Sequence, residues 1–316
     1  MKLHEWWRQQ YREARDLDHL SAEQLSLRLF DCMNNARIRT AQGKLGIQSP
    51  QERNGERWAA WTTEIFEECL LRGYDYPGPI DLSRYQIVLK HAFDPIPDMD
   101  EVLARYKDPT SVKYLLKFGD SPWLRQSLDT GAFRIAPASF YDKDAHNHAR
   151  RDTELRRELT PNPRNVHVQH FMTAKGIVAP VGKIVSTLSV ISPTDYYLFS
   201  MTTAYSSRLF GDFEANACLV IHDPPKFVDR ITTAVAQNLS GLRCEIGPLT
   251  YYDPVRADPN VIDTSLRFFK PFRHAYQDEL RLAWVPADPI AELQPIFIEV
   301  GPLHDCAELV DLANNR

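Results

Sequence analysis

The sequence predicts an α+β protein: a mostly antiparallel mixed sheet preceded by a helical N-terminal region. Three observations carry this. Residues 1–107 hold amphipathic stretches at helical spacing. From about residue 110 onward, short apolar runs of strand length alternate with turn signals. Strands and helices mix there without the regular alternation that marks a parallel sheet. The change of texture divides the chain into a helical region, 1–107, and an α+β domain, 108–316. The chain has 316 residues, 43% of them hydrophobic, enough to bury a sizeable core.

The elements follow in chain order. HEWWRQQYREARDL is amphipathic, and Ser21 with Gln24 opens SAEQLSLRLFDCMNNARIRT as a capping box. A third helix covers ERWAAWTTEIFEECLLRG and ends at Gly73. The prolines of PGP (77–79) and DPIPD (94–98) interrupt helix and central strand alike, framing a short strand at YQIVLK and a helix at DEVLARY. Strands are then expected at KYLLKF, AFRIAP, YYLFSMTT, ACLVIHD, LTYYD, DELRLAW and PIFIEV. SPWLRQSLDTG and PPKFVDRITTAVAQNL carry helix start signals, with proline in the first turn. HARRDTELRRELTPNPR (148–164), with five arginines against one aspartate and two glutamates, is expected as an exposed, charge-laced helix.

Lys and Arg number 37 against 42 Asp and Glu, a formal charge of −5, so no global positive field draws the chain to nucleic acid or an anionic membrane. The five cysteines lack CxxC spacing, which argues against a zinc ribbon or disulfide scaffold and fits a reducing cytoplasm. The charged N-terminus has no apolar leader, and no run approaches the roughly 20 apolar residues of a membrane span. A soluble cytoplasmic protein without membrane contact is expected. Neither G-x-G-x-x-G nor GxxxxGK is present, so Rossmann and P-loop phosphate turns are missing.

The stretch YQDELRLAW (276–284) puts polar groups on core-grade sequence. Taken as a strand over 275–284, it places Tyr276, Asp278, Leu280, Leu282 and Trp284 on one face and Gln277, Glu279, Arg281 and Ala283 on the other. A plain solvated face, with Glu279 and Arg281 as a surface pair worth ~0.5 kcal/mol, is one account. The other is a site. Ser200 and Thr202 likewise share one face of YYLFSMTT, where strand packing of Thr is the simpler explanation.

A Q-x-E pair late in the chain, after FSMTT (199–203) and KYLLKF (113–118), resembles the three-part pattern of the ADP-ribosyltransferase superfamily: Arg, His or Tyr first, often Ser-Thr-Ser second, and a catalytic Glu closing the third. The same blocks resemble a large bacterial family found in defence-associated settings, with a Y-K-[FY] strand, a P-x-x-F-[NY]-D turn, F-x-K and Y-E-x-E-x-R. Here these are KYLLKF, APASFYD (136–142), FFK (268–270) and YQDELR (276–281), with Gln277 where that family has Glu. The resemblance covers residues 110–300.

It implies an ADP-ribosyltransferase-like fold and an effector using NAD as substrate, in a toxin or phage-defence role. Glu279 would steady the sugar cation formed as nicotinamide leaves, and Gln277 would orient an acceptor, since a neutral amide is no general base. Tyr114 and Lys117 would lie near the adenosine and pyrophosphate, Ser200 and Thr202 would hold the glutamate, and Tyr141 and Tyr205 are stacking candidates for nicotinamide. The acceptor would be a protein, RNA or DNA, and the N-terminal helical region would meet an antitoxin or regulator.

A competing constellation lies in DKDAHNH: Asp142, Asp144, His146 and His148 alternate, and His167 and His170 follow. Such a set would serve a metal-dependent nuclease or hydrolase, although no metal is assigned. A non-catalytic nucleotide-sensing or interaction module on the same fold is the third alternative.

Overall fold

The computed structural model describes residues 2–39, 44–52, 54–78, 99–106, 114–142, 149–164, 171–173, 176–178, 187–258, 262 and 266–312. The fold is α+β with a mostly antiparallel sheet, and the N-terminal part is helical. The expected strand at YQIVLK lies outside the described residues.

Helices α1 (Leu3–Ala14), α2 (Ala22–Ala36) and α3 (Gly55–Leu71) form where the amphipathic spacing predicts. The Ser21 hydroxyl accepts from the Gln24 backbone while Gln24 Oε1 accepts from the Ser21 N–H, closing the capping box. Glu68 of α3 is fully buried and survives there because Tyr11, Arg15 and Arg72 all donate to its carboxylate. The inward faces of these helices share one core with Val255, Phe272 and Ala275. Further ties cross the same boundary: Arg28 grips Asp253 through two 2.7 Å contacts, and Asn35 bonds the Phe272 carbonyl and the Tyr276 N–H. The helical region is thus built into the rest of the chain.

A short helix α4 (Met99–Ala104) precedes the main sheet. Its strands are β1 (Leu115–Gly119), β2 (Ala132–Pro137), β3 (Tyr197–Thr202), β4 (Ala217–Ile221), β5 (Leu242–Pro248), β6 (Glu279–Pro286), β7 (Ile296–Glu299) and β8 (Ala307–Asp311). The order is β5-β6-β3-β1-β4-β8, all antiparallel, with β2 pairing both β3 and β7. β6 runs along one whole side of β3. On the other side β1 meets β3 only at Thr202, opposite Leu116, and β2 only at Leu198 and Tyr197. The sheet therefore splits beside the middle of β3. Helix α5 (Ser121–Thr130) connects the two walls of that split, β1 and β2.

One face of the sheet packs α5 and α7 (Pro224–Asn238) through Phe133, Phe199, Leu219, Leu282 and Trp284 against Leu124, Leu128, Phe227 and Ile231. On the other face two apolar clusters flank the split: Leu116, Cys218 and Val220 with Phe210 of α6 (Arg208–Asp212), and Leu198 and Ala283 with Ala138 and Tyr196. The polar site lies between them.

Two sequence expectations change. Residues 275–284 are not one strand: a 3-10 turn runs Phe272–Gln277, Asp278 adopts φ 45°, and β6 starts only at Glu279. That left-handed residue reverses the chain before pairing begins. The segment 148–164 is not an exposed helix either. Its described part contains a strand at Arg156–Leu159, and Asp152, Glu154 and Arg157 are buried. Alternation, not helical spacing, governs it: Arg157 and Leu159 point inward while Arg156 and Glu158 face solvent.

Candidate functional site

Strand register assembles the site. Glu279 lies directly opposite Thr202, Arg281 opposite Ser200 and Ala283 opposite Leu198. Such pairs on one face of a sheet are in contact range. Glu279, Arg281, Thr202, Ser200 and Leu198 form the floor of a cleft of about 350 Å³ at the split, within the range of small-molecule sites. Its walls include Lys117 and Phe118 of β1, Arg134 of β2, the Phe140–Tyr141 turn and Arg150.

Lys117 belongs to the opposite face by parity, paired with Leu219. It nonetheless lines the cleft at the split, donating from Nζ to the Ser200 carbonyl at 2.8 Å, with the ammonium 4.5 Å from the Phe199 ring centroid. The ammonium thus satisfies a β3 carbonyl where the sheet has opened. Burial pushes Lys117 down to about 8, against the pull of Glu279.

Glu279 is 8% exposed, its Oε1 2.5 Å from Lys270 Nζ and its Oε2 3.1 Å from Arg281 Nε. Burial alone would raise its carboxyl, but Lys270 and then Arg281 outweigh it and hold the group below the ordinary carboxylate range. Its backbone N–H donates to the Tyr251 hydroxyl at 2.9 Å. Lys270 also donates to Gln277 Oε1 at 2.9 Å, and Gln277 Nε2 donates to the Ala149 carbonyl. The Thr202 hydroxyl donates to the Gln277 carbonyl and so pins the turn to β3.

Beneath the floor the charges continue. Arg281 grips Glu154 bidentately at 2.7 and 2.5 Å, and Arg157 joins Glu154 at 2.7 Å and Asp152 at 3.2 Å. Burial would raise Asp152, yet Arg157 and the neighbouring cations bring it below its usual value. A buried chain of this kind fixes geometry, because each member left alone would be costly.

Six of the eight residues singled out from sequence line this cleft: Lys117, Tyr141, Ser200, Thr202, Gln277 and Glu279. Burial pushes Tyr141 up to about 12, so its hydroxyl stays protonated. Tyr114 and Tyr205 do not line it; they pack against the neighbouring apolar cluster with Phe118 and Phe213. Tyr114 precedes the first residue of β1, and Tyr205 lies past the end of β3. Sequence reasoning missed Arg134, Glu154 and the role of Lys270. The apolar alternation around Arg157 signals the buried segment containing Glu154, and FFK contains Lys270, but no local pattern pointed to Arg134.

Of the metal constellation, Asp142 is described and exposed, while Asp144, His146, His148, His167 and His170 lie outside the described residues. Among the described residues no group of His, Cys, Asp or Glu is arranged to hold a metal, and no helix is long and apolar enough to cross a membrane. No family model, no curated protein and no solved structure matches this chain.

Proposed function

We propose that the chain is an NAD-dependent ADP-ribosyltransferase-like effector, with a protein or nucleic acid as acceptor and a toxin or phage-defence setting. The observation that carries this is the register of β6 on β3, which sets Glu279 opposite Thr202 and Arg281 opposite Ser200 on the floor of a ligand-sized cleft. When the glycosidic C–N bond of NAD breaks, its electron pair leaves with nicotinamide, which becomes neutral, and positive charge develops on the ribose. A carboxylate that stays ionised stabilises that charge more than it stabilises the ground state. The hydrogen-bonded position of Glu279 supplies preorganisation, and the acceptor's nucleophile then adds to the sugar carbon.

A second reading, a nucleotide-binding module without catalysis, is favoured by one observation: both Glu279 oxygens are already engaged by cations. Incubation of the full chain with NAD, scored for nicotinamide, separates the two. The single Glu279→Gln variant leaves Lys270 buried without its counter-charge, so the paired change Glu279→Gln with Lys270→Met is measured beside it. Release by wild type and none by a folded paired variant supports the transferase. NAD binding by wild type with no nicotinamide released refutes it and favours the module.

A further inference from the structure

The cleft carries more positive charge than its floor explains. Its described lining includes five cations, Lys117, Arg134, Arg150, Lys270 and Arg281, and two carboxylates, Glu154 and Glu279. Lys270 and Arg281 bind those two carboxylates. Lys117 and Arg134 have no carboxylate partner among the described residues: Lys117 donates to a backbone carbonyl, and the Arg134 guanidinium lies over the Phe140 ring at 4.2 Å.

These two stand on the two strands that part from β3, Lys117 on β1 and Arg134 on β2, so one positive group comes from each wall of the split. Like charges lining one gap repel, and an anion between them relieves that repulsion. Arg150, whose guanidinium donates to the Phe213 carbonyl, also lines the cleft and further depresses the Lys117 ammonium. A lone carboxylate offers two oxygens to one partner, whereas a diphosphate spreads charge and acceptors over a length that two walls can share. The Phe140–Tyr141 turn beside Arg134 offers aromatic surface to a flat base.

We propose that the split in the sheet is a diphosphate site, gripped from opposite walls by Lys117 and Arg134, which orients a nucleoside diphosphate with its sugar end toward Glu279. This rests on the nucleotide reading of the cleft, but it assigns Arg134, which the sequence motifs do not mark, and it needs no catalysis.

The test is calorimetric titration of the full chain with inorganic pyrophosphate, ADP and nicotinamide riboside, which lacks phosphate. Arg134 is exposed and its replacement disturbs no ion pair among the described residues, so Arg134→Gln is the main variant; Lys117→Met is run beside it with a melting curve for each. Wild type is expected to bind pyrophosphate and ADP, more weakly as salt rises. Arg134→Gln is expected to weaken both by about tenfold or more, the loss of a charge-assisted contact, while leaving nicotinamide riboside unchanged. Absence of pyrophosphate binding by wild type, or an ADP affinity in Arg134→Gln equal to wild type, overturns the proposal. ADP binding that depends on Arg134, with no nicotinamide released from NAD, supports this site and sinks the transferase reading. Nicotinamide release that Arg134→Gln leaves intact, with no pyrophosphate bound, does the reverse.

Discussion

Lys270 Nζ stands 2.5 Å from Glu279 Oε1, and both side chains are buried, so each is the other's main compensation for leaving water. Among the described residues, Lys270→Met leaves Glu279 with Arg281 as its one direct cation contact, and Glu279→Gln removes the one direct carboxylate contact of the Lys270 ammonium. Each single change is expected to cost about 3–5 kcal/mol in urea unfolding, the range for breaking a buried pair from one side. Together the two changes remove both charges and should cost clearly less than the sum. Additive losses would mean that the two groups do not depend on one another.

The Lys117 ammonium gives stability a specific pH dependence. Its folded value of about 8 lies below its unfolded one, so between those values the unfolded chain holds more protons and stability rises with pH. Below about 8 the group is charged in both states, and the folded chain bears the full burial cost. The groups acting on it are Glu279, which raises it, Arg150, which lowers it, and the Ser200 carbonyl that it bonds. Lys117→Met removes this titration. The stability of Lys117→Met relative to wild type should therefore fall by about 2 kcal/mol between pH 7 and pH 9.5. Denaturation midpoints of the two proteins that keep a constant separation across that range would contradict the buried position.

Much of the site was legible because strand parity is local. Ser200 with Thr202 and Glu279 with Arg281 share faces by simple alternation, and that half of the geometry follows from sequence. That the two strands are neighbours, in a register bringing Glu279 to Thr202, is a long-range fact without local signature. Lys117 is the clearest case: parity assigns it to the far face, and its place in the cleft lining depends on the gap that β1 and β2 leave beside β3. Asp278 shows the other failure, since one left-handed residue cut short a strand that alternation alone had extended to Ala275. The segment around Glu154 misled because charges three and four apart satisfy a helix as well as they satisfy a buried ion network.

The link between the two walls gives the sharpest backbone test. Gly131 ends α5 at φ +74°, and a Cβ there would stand 2.1 Å from the Gly301 carbonyl oxygen and 2.6 Å from its nitrogen. The approach is fixed on both sides, because Val300 N–H donates to the Gly131 carbonyl at 3.0 Å and Leu303 N–H to the Leu128 carbonyl at 2.8 Å. Gly241 has nearly the same backbone angle, φ +76°, with nothing within 4 Å of its Cβ position. Gly241→Ala should cost only the left-handed penalty, about 1–2 kcal/mol. Gly131→Ala should cost that plus a forced backbone shift, on the order of 3–5 kcal/mol in all. Because α5 joins β1 to β2, the shift should also move Arg134 relative to Lys117, so a folded Gly131→Ala protein should bind ADP more weakly than Gly241→Ala. Equal stabilities for the two variants in urea would show that the Gly301 contact is not made in solution.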